Sequence, residues 1–102
     1  MISRHWKGIS RRDQADAYVS HLKAETLPAL GAIPGFVRAS ILRRDVANGT
    51  EFQIVTVWES LDAIRAFAGQ DAELAVVPAV VRGMMVEFEE RASHYEVVHA
   101  TT

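Results

Sequence analysis

A chain of 102 residues with a net charge of −2 and no cysteine supplies one hydrophobic core and little for a second, so residues 1–102 are read as a single domain. Its 49% hydrophobic and 24% charged content is that of an ordinary soluble globular protein. The charge balance makes no case for nucleic acid, charges break every apolar run short of the ~18 residues of a membrane span, and the missing cysteines exclude disulfides and thiolate chemistry.

The start MISRHWKGIS carries cations but no apolar segment behind them, so a secretory signal is not expected, and the absence of cysteine fits a cytoplasmic protein. Residues 2–9 read as a first strand, with Ile2, Arg4 and Trp6 on one side and Ser3, His5 and Lys7 on the other. Ser10 followed by Asp13 is a weak capping box, and Asp13–Leu30 places Ala15, Tyr18, Val19, Leu22, Ala29 and Leu30 near helical spacing. Pro28 bends or ends that helix between Thr26 and Leu30.

Gly31 and Pro34-Gly35 punctuate the chain before a second strand, Phe36–Arg44, in which Phe36, Arg38, Ser40 and Leu42 oppose Val37, Ala39, Ile41 and Arg43. Asn48-Gly49 takes the positive φ angles of a tight hairpin, so the next strand returns antiparallel. In that strand Phe52, Ile54, Thr56 and Trp58 face one way and Gln53, Val55 and Val57 the other. Both sets are mainly apolar. Two helices on one side leave the second face to a partner subunit or a ligand.

Ser60 is an N-cap with Asp62 in the first turn, Leu61, Ile64, Phe67 and Ala68 form a buried helical stripe, and Gly69 ends it. Residues 70–83 read as a short helix plus connection. Met84–Glu89 alternates Met84, Val86 and Phe88 against Met85, Glu87 and Glu89 as a fourth strand, and His94–His99 gives a last one. Strand, helix, strand, strand, helix, strand is the order of an α+β, ferredoxin-like (split βαβ) sandwich: an antiparallel sheet with helices on one face. A homodimer joining two sheets covers the open face.

Four segments in order, Ile2–Gly8 with Trp6, Ile33-Pro34-Gly35-Phe36, Val57-Trp58-Glu59-Ser60 with Ala63 and Phe67, and His94-Tyr95-Glu96-Val97, resemble the antibiotic biosynthesis monooxygenase domains of the dimeric α/β-barrel superfamily. The resemblance covers nearly the whole chain. It implies a homodimer and a monooxygenase that oxidises an aromatic or polyketide-like molecule with molecular oxygen as co-substrate and no cofactor. It also allows a non-catalytic barrel that binds a small hydrophobic ligand, or an isomerase or lactone enzyme of the same superfamily. Haem-degrading relatives place a histidine after the second helix, and Gly69–Pro78 has none, so haem is disfavoured. Polyketide oxygenases carry an asparagine where this chain has Ile54, which donates no hydrogen bond.

Substrate deprotonation needs a base, donors for the anion, and a dry aromatic pocket. The resemblance makes Trp58 the pocket tryptophan, its indole N–H a donor. His5, on the neighbouring strand, is the candidate base, against a place in the interface or solvent. Trp6, Phe67, Tyr18 and Arg38 are the candidate substrate contacts, although periodicity alone explains the aromatics as core. Arg4 and Arg38 suit a phenolate or carboxylate, against the commoner rim ion pair. His21, His94 and His99 read as solvated or terminal, and no metal site emerges from their spacing.

Overall fold

The computed structural model describes residues 1–101. Five strands form one antiparallel sheet: β1 (Ile2–Ser10), β2 (Phe36–Val46), β3 (Gly49–Trp58), β4 (Met85–Phe88) and β5 (Ser93–Glu96). Their order is β2-β3-β1-β4, with β5 sharing the β4 side of β1. β4 pairs with the Gly8–Ser10 end of β1 and β5 with the Ile2–His5 end. The helices α1 (Ala15–His21), α2 (Leu27–Gly31), α3 (Leu61–Ala68) and α4 (Ala79–Arg82) complete the chain. The ferredoxin-like order is borne out. None of these helices is long and apolar enough to cross a membrane among the described residues.

Alternation sorts β1 and β3 as expected. Arg4 pairs with Thr56, Trp6 with Ile54 and Gly8 with Phe52 on the helix side, while His5 opposite Val55 and Lys7 opposite Gln53 share the far face. Two bulges depart from strict alternation. Strict alternation in β2 would put Phe36 beside Arg38 on the far face. A register shift between Phe36 and Arg38 turns Phe36 back to the helix side, where its ring meets Trp58 edge-on at 5.3 Å between centroids. A second shift in β4 buries Met85 with the helix-side core and leaves Val86 exposed, the reverse of the predicted alternation.

The hairpin sits one residue earlier than Asn48-Gly49 suggests. Gly49 already pairs with Val46, leaving Ala47 and Asn48 as the loop. Among the described residues none but glycine has positive φ, and Gly49 is needed because a Cβ there would meet the Ser10 carbonyl. Ser10 does not cap a helix. It is the last residue of β1, paired with Thr50, and its hydroxyl donates to Arg11 O, while a 3₁₀ turn at Arg12–Gln14 leads into α1.

Pro28 acts differently from a simple stop. Without an N–H for the Ala24 carbonyl, and with a ring that crowds it, the chain widens one turn earlier into a π-helical segment, Leu22–Thr26, closed by the Leu27 N–H on Leu22 O. Helical structure then resumes as α2 with Pro28 in its first turn, where a missing N–H costs nothing. Ser60 caps α3 as expected, its hydroxyl accepting from Ala63 N at 3.1 Å, and Gly69 ends it at φ 92°.

The core divides into two clusters on the helix side. One gathers Ala15, Tyr18, Leu22, Phe52, Val81 and Met85; the other gathers Leu30, Trp58, Ala63, Ile64 and Ala72. The far face of the sheet has no helix on it. Leu42 and Tyr95 lie 52% and 57% exposed there, among Arg38, Arg44, Gln53 and Lys7.

Candidate active site

Between the two core clusters lies a cavity of about 70 Å³, bounded by Trp6 and Ile54 of the sheet, Tyr18 and Leu22 of the first helical stretch, Phe67 of α3 and the 76–78 segment. Its walls are largely apolar, and two of the side chains that line it carry strong donors. Arg4 reaches it from β1 and Tyr18 from α1, and both are buried.

The folding that buries a guanidinium here is explicit. Arg4 Nη1 donates to Ala72 O and, at 2.8 Å, to His94 Nε2; Nη2 donates to Leu74 O at 2.9 Å. The connection after α3 is thereby tied to β1. The same connection is tied from outside by Arg91, which bonds both Asp71 oxygens at 2.8 and 2.9 Å, and by Ala75 N on Glu90 O and Ala92 N on Glu73 O. Burial lowers the Arg4 guanidinium from its ordinary value, and the charge of Glu73 partly offsets this. His94 is lowered by burial first and then by the adjacent Arg4 charge, so the imidazole accepts from Arg4 as a neutral ring. Burial pushes the Tyr18 phenol well above its ordinary value, which keeps its proton on.

Trp6, Phe67 and Tyr18 come together around the cavity. Trp6 spends its indole N–H on Glu89 O at 2.7 Å and packs beside Phe88. Phe67 lies under the Arg4 guanidinium, 5.8 Å from ring centroid to Cζ. Trp58 stands behind this wall. It is fully buried, stacked on Phe67 at 5.9 Å, and its N–H donates to Thr56 Oγ1 at 2.8 Å. Thr56 in turn lines the cavity, so Trp58 reaches the site through Thr56 and Phe67.

His5 and Arg38 occupy the other face of the sheet. His5 Nε2 is 2.8 Å from Ser3 Oγ and its ring meets Tyr95 edge-on, while Arg38 sits opposite Val57 on the edge strand. Neither borders the cavity. Sequence reasoning weighed Arg4 for a phenolate or carboxylate against the commoner rim ion pair, and took His94 as a solvated or terminal residue. The alternation that set Arg4 with Trp6 was the available signal. Among the described residues no cluster of three or more His, Asp or Glu is placed to hold a metal ion.

The fold is shared with solved structures at low sequence identity. A candidate antibiotic biosynthesis monooxygenase of Bacillus cereus superposes with a TM-score of 0.69 at 17% identity, over 100% of this chain and 95% of that one. SnoaB, a cofactor-independent oxygenase from Streptomyces nogalater, matches with a TM-score of 0.67 at 19% identity, over 97% and 94% of the two chains. The haem-degrader MhuD of Mycobacterium tuberculosis, with two haems bound in its active site, matches with a TM-score of 0.62 at 21% identity over 100% of both chains. No curated protein matches in sequence.

The expectation of a cofactor-free protein with haem disfavoured is corrected by this last neighbour, because the same fold holds haem. The segment after α3 has no histidine, and His94 of β5 reaches Arg4, which itself borders the cavity. A cavity of about 70 Å³ takes in neither a porphyrin nor a polycyclic substrate without widening, since ligand pockets run to roughly 300–1,000 Å³. The antibiotic biosynthesis monooxygenase family model matches residues 10–79, a span that holds Tyr18, Leu22, Ile54 and Phe67 of the cavity wall, and the chain belongs to that family.

Proposed function

We propose that this chain is a homodimeric monooxygenase acting on a small aromatic or polyketide-like molecule held between sheet and helices. The observation that carries the reading is the convergence of Trp6, Tyr18 and Phe67 on one largely apolar cavity with Arg4 at its edge. Aromatic walls stack a planar substrate and exclude water, and the Arg4 and Tyr18 donors favour negative charge as it develops on a phenolic or enolic oxygen. In such an oxidation a ring methylene becomes a carbonyl. One atom of O₂ enters the product, the other leaves as water with the two methylene hydrogens, and the four electrons come from the substrate. The uncovered sheet face, with Leu42 and Tyr95 exposed, supports the dimer.

The test is oxygen uptake by the purified chain on a panel of anthrones and hydroquinones, with and without added haem. The expected result is uptake matched one to one by oxidised product, lowered in Phe67→Ala and unchanged in Arg38→Ala. No uptake on any substrate in either condition would refute the enzyme reading and leave a ligand-binding barrel. A solution mass equal to one chain would remove the dimer.

A further inference from the structure

Arg4 is only 5% exposed, yet every acceptor it meets is neutral: the carbonyls of Ala72 and Leu74 and the imidazole of His94. Glu73, the acid whose charge acts on it, is itself drawn to Arg91 at 3.4 Å, and among the described residues none of the ion pairs includes Arg4. A buried cation that no carboxylate pairs with directly is a costly arrangement. An anion arriving in the cavity removes that cost.

Tyr18 gives a second, independent indication. The residue is 3% exposed and its hydroxyl has no hydrogen-bond partner among the described residues, which also leave no side-chain polar atom sealed from water unpaired. The Tyr18 hydroxyl is therefore not sealed off, and the residue that carries it lines the cavity. The lining includes no histidine, aspartate or glutamate to act as acceptor or base. Donors without a base suit a ligand that arrives already deprotonated.

We infer that the cavity selects its ligand as a preformed anion, an aromatic carboxylate or a stabilised enolate, whose charged oxygens bind Arg4 and Tyr18 while its ring lies against Trp6 and Phe67. This deepens the oxygenase reading by naming the substrate class and rests on the same cavity. It also states how the cavity enlarges. Val76 and Pro78 close it, and their segment is held down by the Arg4 bonds to Ala72 and Leu74. An anion that takes those donors releases the segment, so binding and opening are one event. Arg4 is then a specificity-determining contact as well as a fastening.

Isothermal titration of the full chain at pH 8 with 1-naphthoate and with its neutral isostere 1-naphthamide tests this. Naphthoate is expected to bind about tenfold or more tightly than the amide, the advantage of a charge-assisted hydrogen bond. That preference should shrink severalfold in Tyr18→Phe, persist in Arg4→Lys and vanish in Arg4→Gln. Equal affinities in the unaltered chain, no binding of either probe, or a preference untouched by Tyr18→Phe and Arg4→Gln together would overturn the inference. If Arg4→Gln fails to fold because the connection after α3 comes loose, the unaltered chain and Tyr18→Phe decide. Anion-selective binding without oxygen uptake would sink the oxygenase reading alone; uptake on neutral substrates without anion preference would sink this one alone.

Discussion

Replacing Trp58 by phenylalanine separates an architectural tryptophan from a reacting one. The indole is fully buried, stacked on Phe67, edge-on to Phe36, and bonded to Thr56 Oγ1 at 2.8 Å. Trp→Ala in a core costs about 3–5 kcal/mol, and phenylalanine keeps one ring, so loss of the second ring costs about 2 kcal/mol. The lost hydrogen bond adds about 1 kcal/mol. Together these make about 3 kcal/mol, a large share of the roughly 5–15 kcal/mol that holds a domain folded. At about 4–8 °C per kcal/mol for a domain near this size, the midpoint falls by about 12–24 °C. Thermal melts by circular dichroism measure this, at one fixed protein concentration because self-association would shift the midpoint. Ligand binding or turnover per folded molecule, assayed well below the lower midpoint, should change only a few-fold. A midpoint shift under about 4 °C together with loss of turnover would refute the reasoning and move the indole from the wall into the chemistry.

Two glycines offer a matched comparison. Gly35 and Gly69 both sit at φ 92°, but a Cβ on Gly35 would stand 2.7 Å from Ala63 Cβ while one on Gly69 meets open space. Gly69→Ala should cost about 1–3 kcal/mol from backbone strain alone, and Gly35→Ala visibly more, read from urea midpoints; the opposite ranking would contradict the packing of the Pro34-Gly35 turn beneath α3. His94 predicts the acid side of the stability curve. Its folded value lies below the ordinary 6.5 through burial and the Arg4 charge, so on acidification the unfolded chain takes up this proton first. Stability from His94 is complete above about pH 6.5 and falls as the pH drops below it. Urea midpoints between pH 8 and pH 5 should fall less steeply in His94→Gln, and identical slopes would show that the Arg4–His94 contact does not carry the effect.

How far the chain could be read in advance followed the range of the interactions involved. Ser60, Gly69 and the strand leading into Trp58 act within a few residues of themselves, and each appears where local chemistry puts it. The facing of Arg4 with Trp6 also followed from alternation. What alternation could not carry is why a charged residue belongs inside, since its acceptors at Ala72, Leu74 and His94 lie 68, 70 and 90 positions away. Pro28 shows the complementary difficulty. Its effect on the helix was visible, but not the direction, because whether a helix stops or widens depends on the packing of Leu22 and Leu30 against the sheet side. The bulges in β2 and β4 belong to the same class, set by Trp58 and Phe52 needing partners rather than by the strands that bend.

The widened turn at Leu22–Thr26 has a consequence for how such a site changes over time. Tyr18, Leu22, Thr26 and Leu30, each four residues beyond the last, all border the cavity. In an unbroken α-helix every four-residue step overshoots a full turn by roughly 40°, about 120° from Tyr18 to Leu30, which would carry Leu30 away from the sheet. The π turn takes up one surplus residue and rotates the later part of the helix back by roughly 100°. The facing of Leu30 is thereby uncoupled from the length of chain before it. Losing one residue between Leu22 and Thr26 restores a regular helix that reaches Leu30 at roughly the same angle as before, so Tyr18 and Leu30 both keep facing the cavity. One deletion alters the wall only at the widened turn, where Thr26 lines the cavity, and leaves both of its ends in place.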